Sequence, residues 1–208
     1  MRIFALGGVA GPVWFTVVML VCASIRPDYS HVSQFISDLG ATNTANAAAM
    51  NYGAFLPAGV LLGVFGLSIA LLLPRHILTT FASVLLMLFG TGIAACGLLS
   101  CDPGCPEAGG SLQNLIHNRI APLSFMSAIV GAGLLAVRFR QSAESRTLWI
   151  YSGATSVTAF CLILLLVSSL EARDFTGLWQ RLLIAALYLW CAVTGIHVYR
   201  FARPAAAV

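Results

Sequence analysis

The stretch RPDYSHVSQFISDLGATNTANAAAMN, residues 26–51, is the longest polar interval in a chain that is otherwise mostly apolar. It contains one of the four histidines and two of the seven acidic residues. An apolar run flanks it on each side, at about residues 3–25 and 52–73. Each run reaches the roughly 20 residues that a helix needs to cross the hydrocarbon core of a bilayer. The polar stretch is therefore predicted to be a loop between two transmembrane helices.

The composition of the whole chain extends this pattern. Of its 208 residues, 59% are hydrophobic and 9% are charged, whereas a soluble domain carries about 25% charged residues. The first apolar run is longer than the hydrophobic region of a cleaved signal peptide, so we interpret it as a span. We predict a single-domain, all-α integral membrane protein over residues 1–208. Its six-transmembrane-helix bundle has spans at about residues 3–25, 52–73, 77–100, 115–137, 147–169 and 181–201.

Glycine pairs four residues apart occur in the first two spans. Gly7 and Gly11 form one pair, and Gly59 and Gly63 form the other. Small residues at this spacing let two helices approach closely in a membrane. Such pairs serve contacts within one chain as well as between chains, so they predict no oligomeric state.

Residues 30–39 have the periodicity of a short helix. Apolar residues recur there at spacings of three and four, namely Val32, Phe35, Ile36 and Leu39. That spacing predicts one apolar face, and the opposite face then carries His31, Gln34 and Asp38. Ten residues cannot span a bilayer, so the predicted helix lies in the membrane interface. It is either a connector whose polar face meets water, or a lid that directs His31 and Asp38 into a pocket.

The second polar loop, CDPGCPEAGGSLQNLIHNR at residues 101–119, contains two cysteines separated by a turn-forming Pro-Gly pair. In an oxidising compartment a Cys101–Cys105 disulfide is the first expectation, and it would pin Asp102 in a tight loop. A metal pair is less favoured because no second cysteine pair is present. Further along, His117 and Asn118 occupy the first turns of the fourth span.

The distribution of charge predicts the orientation. Six spans place both termini on one side, and cytoplasmic segments carry an excess of basic residues. With cytoplasmic termini, seven of the eleven arginines fall inside: Arg2, Arg75, Arg138, Arg140, Arg146, Arg200 and Arg203. Six of the seven acidic residues then fall outside. We predict a multi-pass protein of the bacterial inner (plasma) membrane, with His31, Asp38, Asp102, His117, Arg119 and Arg181 at its extracytoplasmic face.

A formal charge of +4 does not indicate a nucleic-acid partner. The arginines are scattered at loop ends and form no basic patch. The partner that we expect for a membrane protein with an outer polar site is membrane lipid, or a lipid-linked substrate.

Three loop motifs, HVSQFISDLGA, CDPGCP and LIHNRIA, together with the six-span layout, resemble the bacterial membrane-protein family known as domain of unknown function 998. The resemblance covers nearly the whole chain and implies an all-helical membrane bundle. It does not imply any particular activity. A looser analogy is to the ceramidase and progestin-receptor group of membrane hydrolases, which use Ser, Asp and three His around zinc. This chain lacks their paired histidines in the last span, so no zinc ligand is carried over.

Our first functional hypothesis is a hydrolase-like enzyme that acts on a lipid or lipid-linked substrate at the outer face. The candidate acid–base residues are His31, Asp38, Asp102 and His117. Arginine suits bidentate anion contacts, and the candidate substrate-binding residues are Ser33, Ser37, Asn118, Arg119 and Arg181. These residue types are also compatible with a divalent metal, although no motif supports one.

Two further hypotheses use the same residues. The protein could be a non-enzymatic binder of lipid or protein, such as a sensor, a partner subunit or a small transporter. Transport is the less favoured of these, because no ionisable residue lies in the middle of a span. Alternatively, the polar residues only satisfy one another and hold the outer loops together.

Overall fold

The computed structural model describes residues 1–143 and 145–201, and these residues form helices and connecting loops without a β-strand. Six helices are long and apolar enough to cross a membrane, as the sequence predicts. We number them α1 to α6 in chain order. Their bounds are Arg2–Ser24, Ala47–Leu72, Ile77–Leu98, Leu112–Arg140, Leu148–Ser168 and Thr176–Phe201. The first turn of α1 is a 3₁₀ helix, and α2 contains a π-helical turn at Asn51–Phe55.

The six helices form a closed ring. Each helix packs against its neighbours in the sequence, and α6 closes the ring against α1. Large side chains fill the centre, among them Phe15, Phe65, Phe89 and Trp190, all of which are buried. The indole N–H of Trp190 donates to the Ser152 hydroxyl at 3.0 Å, so this polar group is satisfied inside the bundle.

The outer surface of the ring is apolar. Val13, Leu123, Val157 and Leu189 are each more than half exposed, with exposed fractions of 58%, 66%, 65% and 61%. Exposed aliphatic side chains on every side of a helical ring are typical of a surface that lies in hydrocarbon. The fold is therefore that of a multi-pass membrane protein.

The loops that follow α1, α3 and α5 meet at one end of the ring, which we call the loop end (residues 25–46, 99–111 and 169–175). Thr42 N–H donates to the Cys101 carbonyl at 2.9 Å and joins the first loop to the second. The Arg173 guanidinium donates to the Cys105 carbonyl at 3.0 Å and joins the third loop to the second. The three predicted polar segments thus form one layer over the helices.

The predicted helix over residues 30–39 is wrong in its extent. Residues 31–34 form turns, Phe35 is extended (φ −61°, ψ 152°), and only Ile36–Gly40 is helical, as a 3₁₀ helix. The reason lies in the backbone N–H groups, which are taken by side chains. Phe35 N–H donates to the Asp38 carboxylate at 3.1 Å, and Ile36 N–H donates to the Gln180 side-chain oxygen at 2.7 Å. Of the predicted apolar face, Ile36 and Leu39 are buried.

Glycines set the distance between α2 and α3. A Cβ atom placed on Gly90 would lie 2.6 Å from the Gly59 carbonyl oxygen and would overlap the backbone nitrogen of Gly63. By contrast, a Cβ atom placed on Gly63 would meet nothing within 4 Å. The two helix backbones are in direct contact at Gly90. A side chain fits at position 63 but not at position 90.

We expect Gly90→Ala to destabilise the bundle by about 1–3 kcal/mol, because α2 and α3 must separate to admit the methyl group. Gly63→Ala should change stability by no more than about 1 kcal/mol, since its methyl group enters open space and alanine favours the helix. Thermal unfolding of both variants in detergent measures the difference. Equal melting temperatures for the two variants would contradict the proposed contact.

Candidate functional site

A cavity of about 300 Å³ lies at the loop end between α4 and α5. Apolar side chains from these two helices form its walls: Leu115, Ala121, Pro122 and Phe125 from α4, and Ile163, Leu166 and Val167 from α5, with Leu170 just beyond. Leu115 and Val167 are exposed on the outer surface of the ring. The cavity is therefore open towards the side that faces lipid. We call it the α4/α5 pocket.

Polar groups gather at the end of the pocket nearest the loops. His117, Asn118 and Arg119 come from α4, Gln180 comes from α6, and Ser37 and Glu107 come from the loops. His117, Asn118 and Arg119 are successive residues in the first turns of α4, next to the loop layer. The pocket is thus polar at one end and apolar along its walls.

His117 is buried at the junction of α3 and α4. Its Nδ1 atom lies 2.7 Å from the Leu99 carbonyl oxygen. A carbonyl oxygen only accepts hydrogen bonds, so Nδ1 carries the proton in the neutral ring and Nε2 is the acceptor. This contact fixes both the tautomer and the orientation of the imidazole.

The structure places Cys101 and Cys105, the pair predicted from the sequence, at disulfide distance, with the two Cα atoms 5.1 Å apart. Both cysteines are buried, and Cys105 lines the pocket. The Ser37 hydroxyl lies 3.4 Å from the Cys105 sulfur. The disulfide therefore fixes the part of the second loop that covers the pocket.

Arg173 binds this loop from the other side. It donates to the Gly104 carbonyl at 3.3 Å and to the Cys105 carbonyl at 3.0 Å. Its guanidinium also lies 4.9 Å from the centre of the Phe35 ring and 3.6 Å from the Glu107 carboxylate. Arg173 thus contacts three residues of the pocket lining, Phe35, Cys105 and Glu107. No pattern in the sequence separates it from the other arginines.

Asp102 stabilises the second loop rather than lining the pocket. Its carboxylate accepts hydrogen bonds from the Ser111 N–H at 2.6 Å and from the Ser111 hydroxyl at 2.8 Å. These donors lower the pKa of Asp102. Ser111 in turn caps α4 by accepting from Asn114 N–H at 3.1 Å. Asp102 therefore connects the disulfide loop to the first turn of α4.

His31 and Arg181 form a second cluster, between the first loop and α6. The Arg181 guanidinium donates to His31 Nδ1 at 3.2 Å, to the Gln34 carbonyl at 3.0 Å, to the Gly177 carbonyl at 2.8 Å and to the Tyr29 hydroxyl. Every nitrogen of the guanidinium is engaged, so Arg181 anchors residues 29–34 to α6. Neither Arg181 nor His31 lines the pocket.

The pKa values in this cluster follow from its burial and its charge. Burial raises the pKa of Tyr29 to about 12, and the nearby Arg181 charge opposes the rise. Partial burial and the Arg181 charge both lower the pKa of His31. A lowered histidine pKa means that the unfolded chain binds the proton more readily. The contribution of His31 to stability is therefore complete above about pH 6.5 and is lost as the pH falls below that value.

Asp38 is a buried residue of the first loop, with 1% of its surface exposed. Burial raises the pKa of its carboxyl group, and this effect is partly offset by the Phe35 N–H and by the charges of Arg173 and Arg26. Arg26 also donates to the Asp38 backbone carbonyl. Ser33, another predicted site residue, contributes its N–H to the Ser30 hydroxyl at 3.2 Å.

The structure thus divides the predicted site residues into two groups. Five of the predicted residues line the α4/α5 pocket: Ser37, Cys105, His117, Asn118 and Arg119. Six others lie outside its lining: His31, Ser33, Asp38, Cys101, Asp102 and Arg181. Gln180 and Glu107 line the pocket but were not predicted. Within residues 1–143 and 145–201, no group of three or more His, Cys, Asp and Glu side chains is placed to hold a metal ion.

The chain belongs to the family described as Protein of unknown function (DUF998), whose model matches residues 9–197. This membership confirms the resemblance seen in the loop motifs. No curated protein and no solved structure matches the chain.

We expect the two predicted anion-binding arginines to differ in their effect on stability. Arg181→Gln should destabilise the protein by about 1–3 kcal/mol, because it leaves Tyr29 and two backbone carbonyls without their donor. Arg119→Gln should stay within about 0.5 kcal/mol, since Arg119 is exposed and has no such contacts among the described residues. Melting temperatures in detergent compare the two. A larger loss in Arg119→Gln would mean that Arg119 also has a structural role.

Proposed function

We propose that this member of the DUF998 family binds one membrane lipid, or a lipid-like amphiphile, in the α4/α5 pocket at the extracytoplasmic face of a bacterial plasma membrane. The observation that carries the proposal is the order of polar and apolar groups along the pocket. Polar side chains lie at the loop end, and apolar walls continue from them along α4 and α5. An amphiphile in a bilayer has the same order from its head to its chain.

The depth of the pocket supports a site within one leaflet. Its α4 residues run from Leu115 to Phe125. From His117 to Phe125 the helix rises about 12 Å, at about 1.5 Å per residue. Half of a hydrocarbon core of about 30 Å is about 15 Å. A ligand that extends from His117 to Phe125 would therefore stay in the leaflet at the loop end.

Charge supports the extracytoplasmic orientation of the loop end. The opposite end carries Arg2, Arg75, Arg138, Arg140, Arg146 and Arg200, whereas Arg203 lies outside the described residues. An excess of arginine is expected on the cytoplasmic side. A disulfide at the loop end agrees with an oxidising compartment.

We expect Ala121→Trp to reduce the amount of lipid that remains with the purified protein, because an indole ring would fill the pocket between α4 and α5. Leu123→Trp is the matched control: it adds the same ring two residues away, on a side chain that is 66% exposed to the lipid-facing surface. Native mass spectrometry of both variants would report the bound lipid. The proposal is wrong if wild type retains no lipid, or if both variants retain as much as wild type.

A second candidate function is hydrolysis of the bound lipid. The observation that favours it is that a hydroxyl group and an imidazole, from Ser37 and His117, line the same pocket. In ester hydrolysis, His117 Nε2 would accept a proton from a water molecule as that water attacks the ester carbonyl. The imidazolium would then return the proton to the leaving alcohol oxygen, and the acid and the alcohol would be released. Ser37 could donate a hydrogen bond to the carbonyl oxygen.

If this second function is correct, we expect purified wild-type protein to hydrolyse an ester lipid in detergent micelles. His117→Gln should lower the rate by about 100-fold or more while lipid binding persists. His76→Asn is the control, because His76 lies at the opposite end, where it caps α3, and asparagine also serves as a helix cap. Absence of turnover in wild type, with lipid bound, would leave binding alone as the function.

A further inference from the structure

We infer that the amphiphile has a single acyl chain and an acidic head, a carboxylate or a phosphate, which Arg119 binds at the mouth of the pocket. This inference rests on the proposed lipid-binding function and specifies the ligand of the same site. It follows from a comparison of the arginines at the loop end, from the hydrogen-bonding groups of the pocket and from the size of the pocket.

Four arginines lie at the loop end, and three of them are engaged by the protein. Arg26 donates to the Asp38 carbonyl, Arg173 binds the disulfide loop, and Arg181 binds the first loop. Arg119 is exposed, lines the pocket, and has no hydrogen bond or ion pair within residues 1–143 and 145–201. Its guanidinium presents five N–H donors in a fixed plane that matches a carboxylate or a phosphate. Of the four, Arg119 is therefore the arginine that is placed to offer its donors to a ligand in the pocket.

Two other polar residues of the pocket, Gln180 and Glu107, are also compatible with an acidic head. The Gln180 side-chain oxygen already accepts from Ile36 N–H at 2.7 Å, so the amide NH₂ group is left as a donor. The one acidic side chain of the pocket lining, Glu107, lies 3.6 Å from Arg173, which offsets its charge. The His117 ring is neutral in the tautomer described above. An acidic head thus meets donors and no unbalanced negative charge.

The dimensions of the pocket favour one chain. Its walls are two adjacent helices, which form a single groove between them. Its volume of about 300 Å³ lies at the lower limit of the range of roughly 300–1,000 Å³ for small-molecule sites. Such a volume suits a small head with the upper part of one chain, rather than a large head with two chains.

The experiment compares four probes by native mass spectrometry of the purified protein in a non-ionic detergent. Palmitate and palmitoyl glycerol phosphate carry an acidic head, palmitoyl glycerol has the same chain with a neutral head, and inorganic phosphate has no chain. Wild type, Arg119→Gln and Arg119→Lys are compared. Arg75→Gln is the matched control, because Arg75 is an exposed arginine at the opposite end of the ring.

We expect wild type to bind both acidic amphiphiles about tenfold more tightly than palmitoyl glycerol. Arg119→Gln should abolish that preference, because it lowers the affinity for the two acidic amphiphiles. Arg119→Lys should retain part of the preference, and Arg75→Gln should match wild type. Inorganic phosphate should bind far more weakly than palmitoyl glycerol phosphate.

Each contrary result identifies what has failed. Equal affinity for acidic and neutral amphiphiles in wild type, or an unchanged preference in Arg119→Gln, would overturn the acidic head while the lipid site stands. Tighter binding of a two-chain phosphatidic acid than of palmitoyl glycerol phosphate would overturn the single chain. Inorganic phosphate that binds as tightly as palmitoyl glycerol phosphate would overturn the lipid and leave an anion site. If no amphiphile binds, the proposed function itself fails.

Discussion

The structure depends on the fact that hydrocarbon offers no hydrogen-bond partner to a polypeptide backbone. Six helices satisfy their own backbone within the apolar segments, and the charged residues are left to the ends and the loops. At the loop end, three connecting segments must then pair their backbone groups with one another and with side chains. Two of these pairings are hydrogen bonds of 2.9 Å. The Thr42 N–H donates to the Cys101 carbonyl, and the Leu178 N–H donates to the Val32 carbonyl. The polar layer that roofs the pocket is a consequence of that requirement.

Arginine satisfies part of this demand, and identical side chains take different roles as a result. Arg26, Arg173 and Arg181 each donate to backbone carbonyls of the loops. A guanidinium suits the task because one group reaches several acceptors and stays charged at any physiological pH. These guanidinium groups connect the loops to one another and to the helices, and the contacts of the cluster around His31 are those that the structural hypothesis predicts. Arg119 lies on the outer side of α4 beside the pocket, where it makes no such contact with the described residues.

The sequence predicted what hydropathy and local spacing determine. The six spans follow from apolar length, and the disulfide follows from two cysteines across a Pro-Gly turn. The prediction of a helix over residues 30–39 is wrong in its extent because Gln180, 144 residues away in the chain, accepts a hydrogen bond from the Ile36 N–H. The periodicity of residues 30–39 carries no information on such a distant contact. For the same reason, spacing could not separate Arg119 from Arg181, since their difference lies in residues distant in the chain. Gln180 was missed because a single amide beside Arg181 carries no pattern of its own.

The pocket lies beside the least buried of the six spans. Within the most apolar 18-residue window of each helix, 28% of α5 is buried, whereas the share in α2, α3 and α6 is 50%. A helix with little buried area loses little packing when it shifts from its neighbour. Pro122 lies in the α4 wall of the pocket and removes a backbone N–H from it. A ligand that enters sideways from the bilayer, as the proposed function requires, would pass between α4 and α5, next to the polar groups that face the pocket.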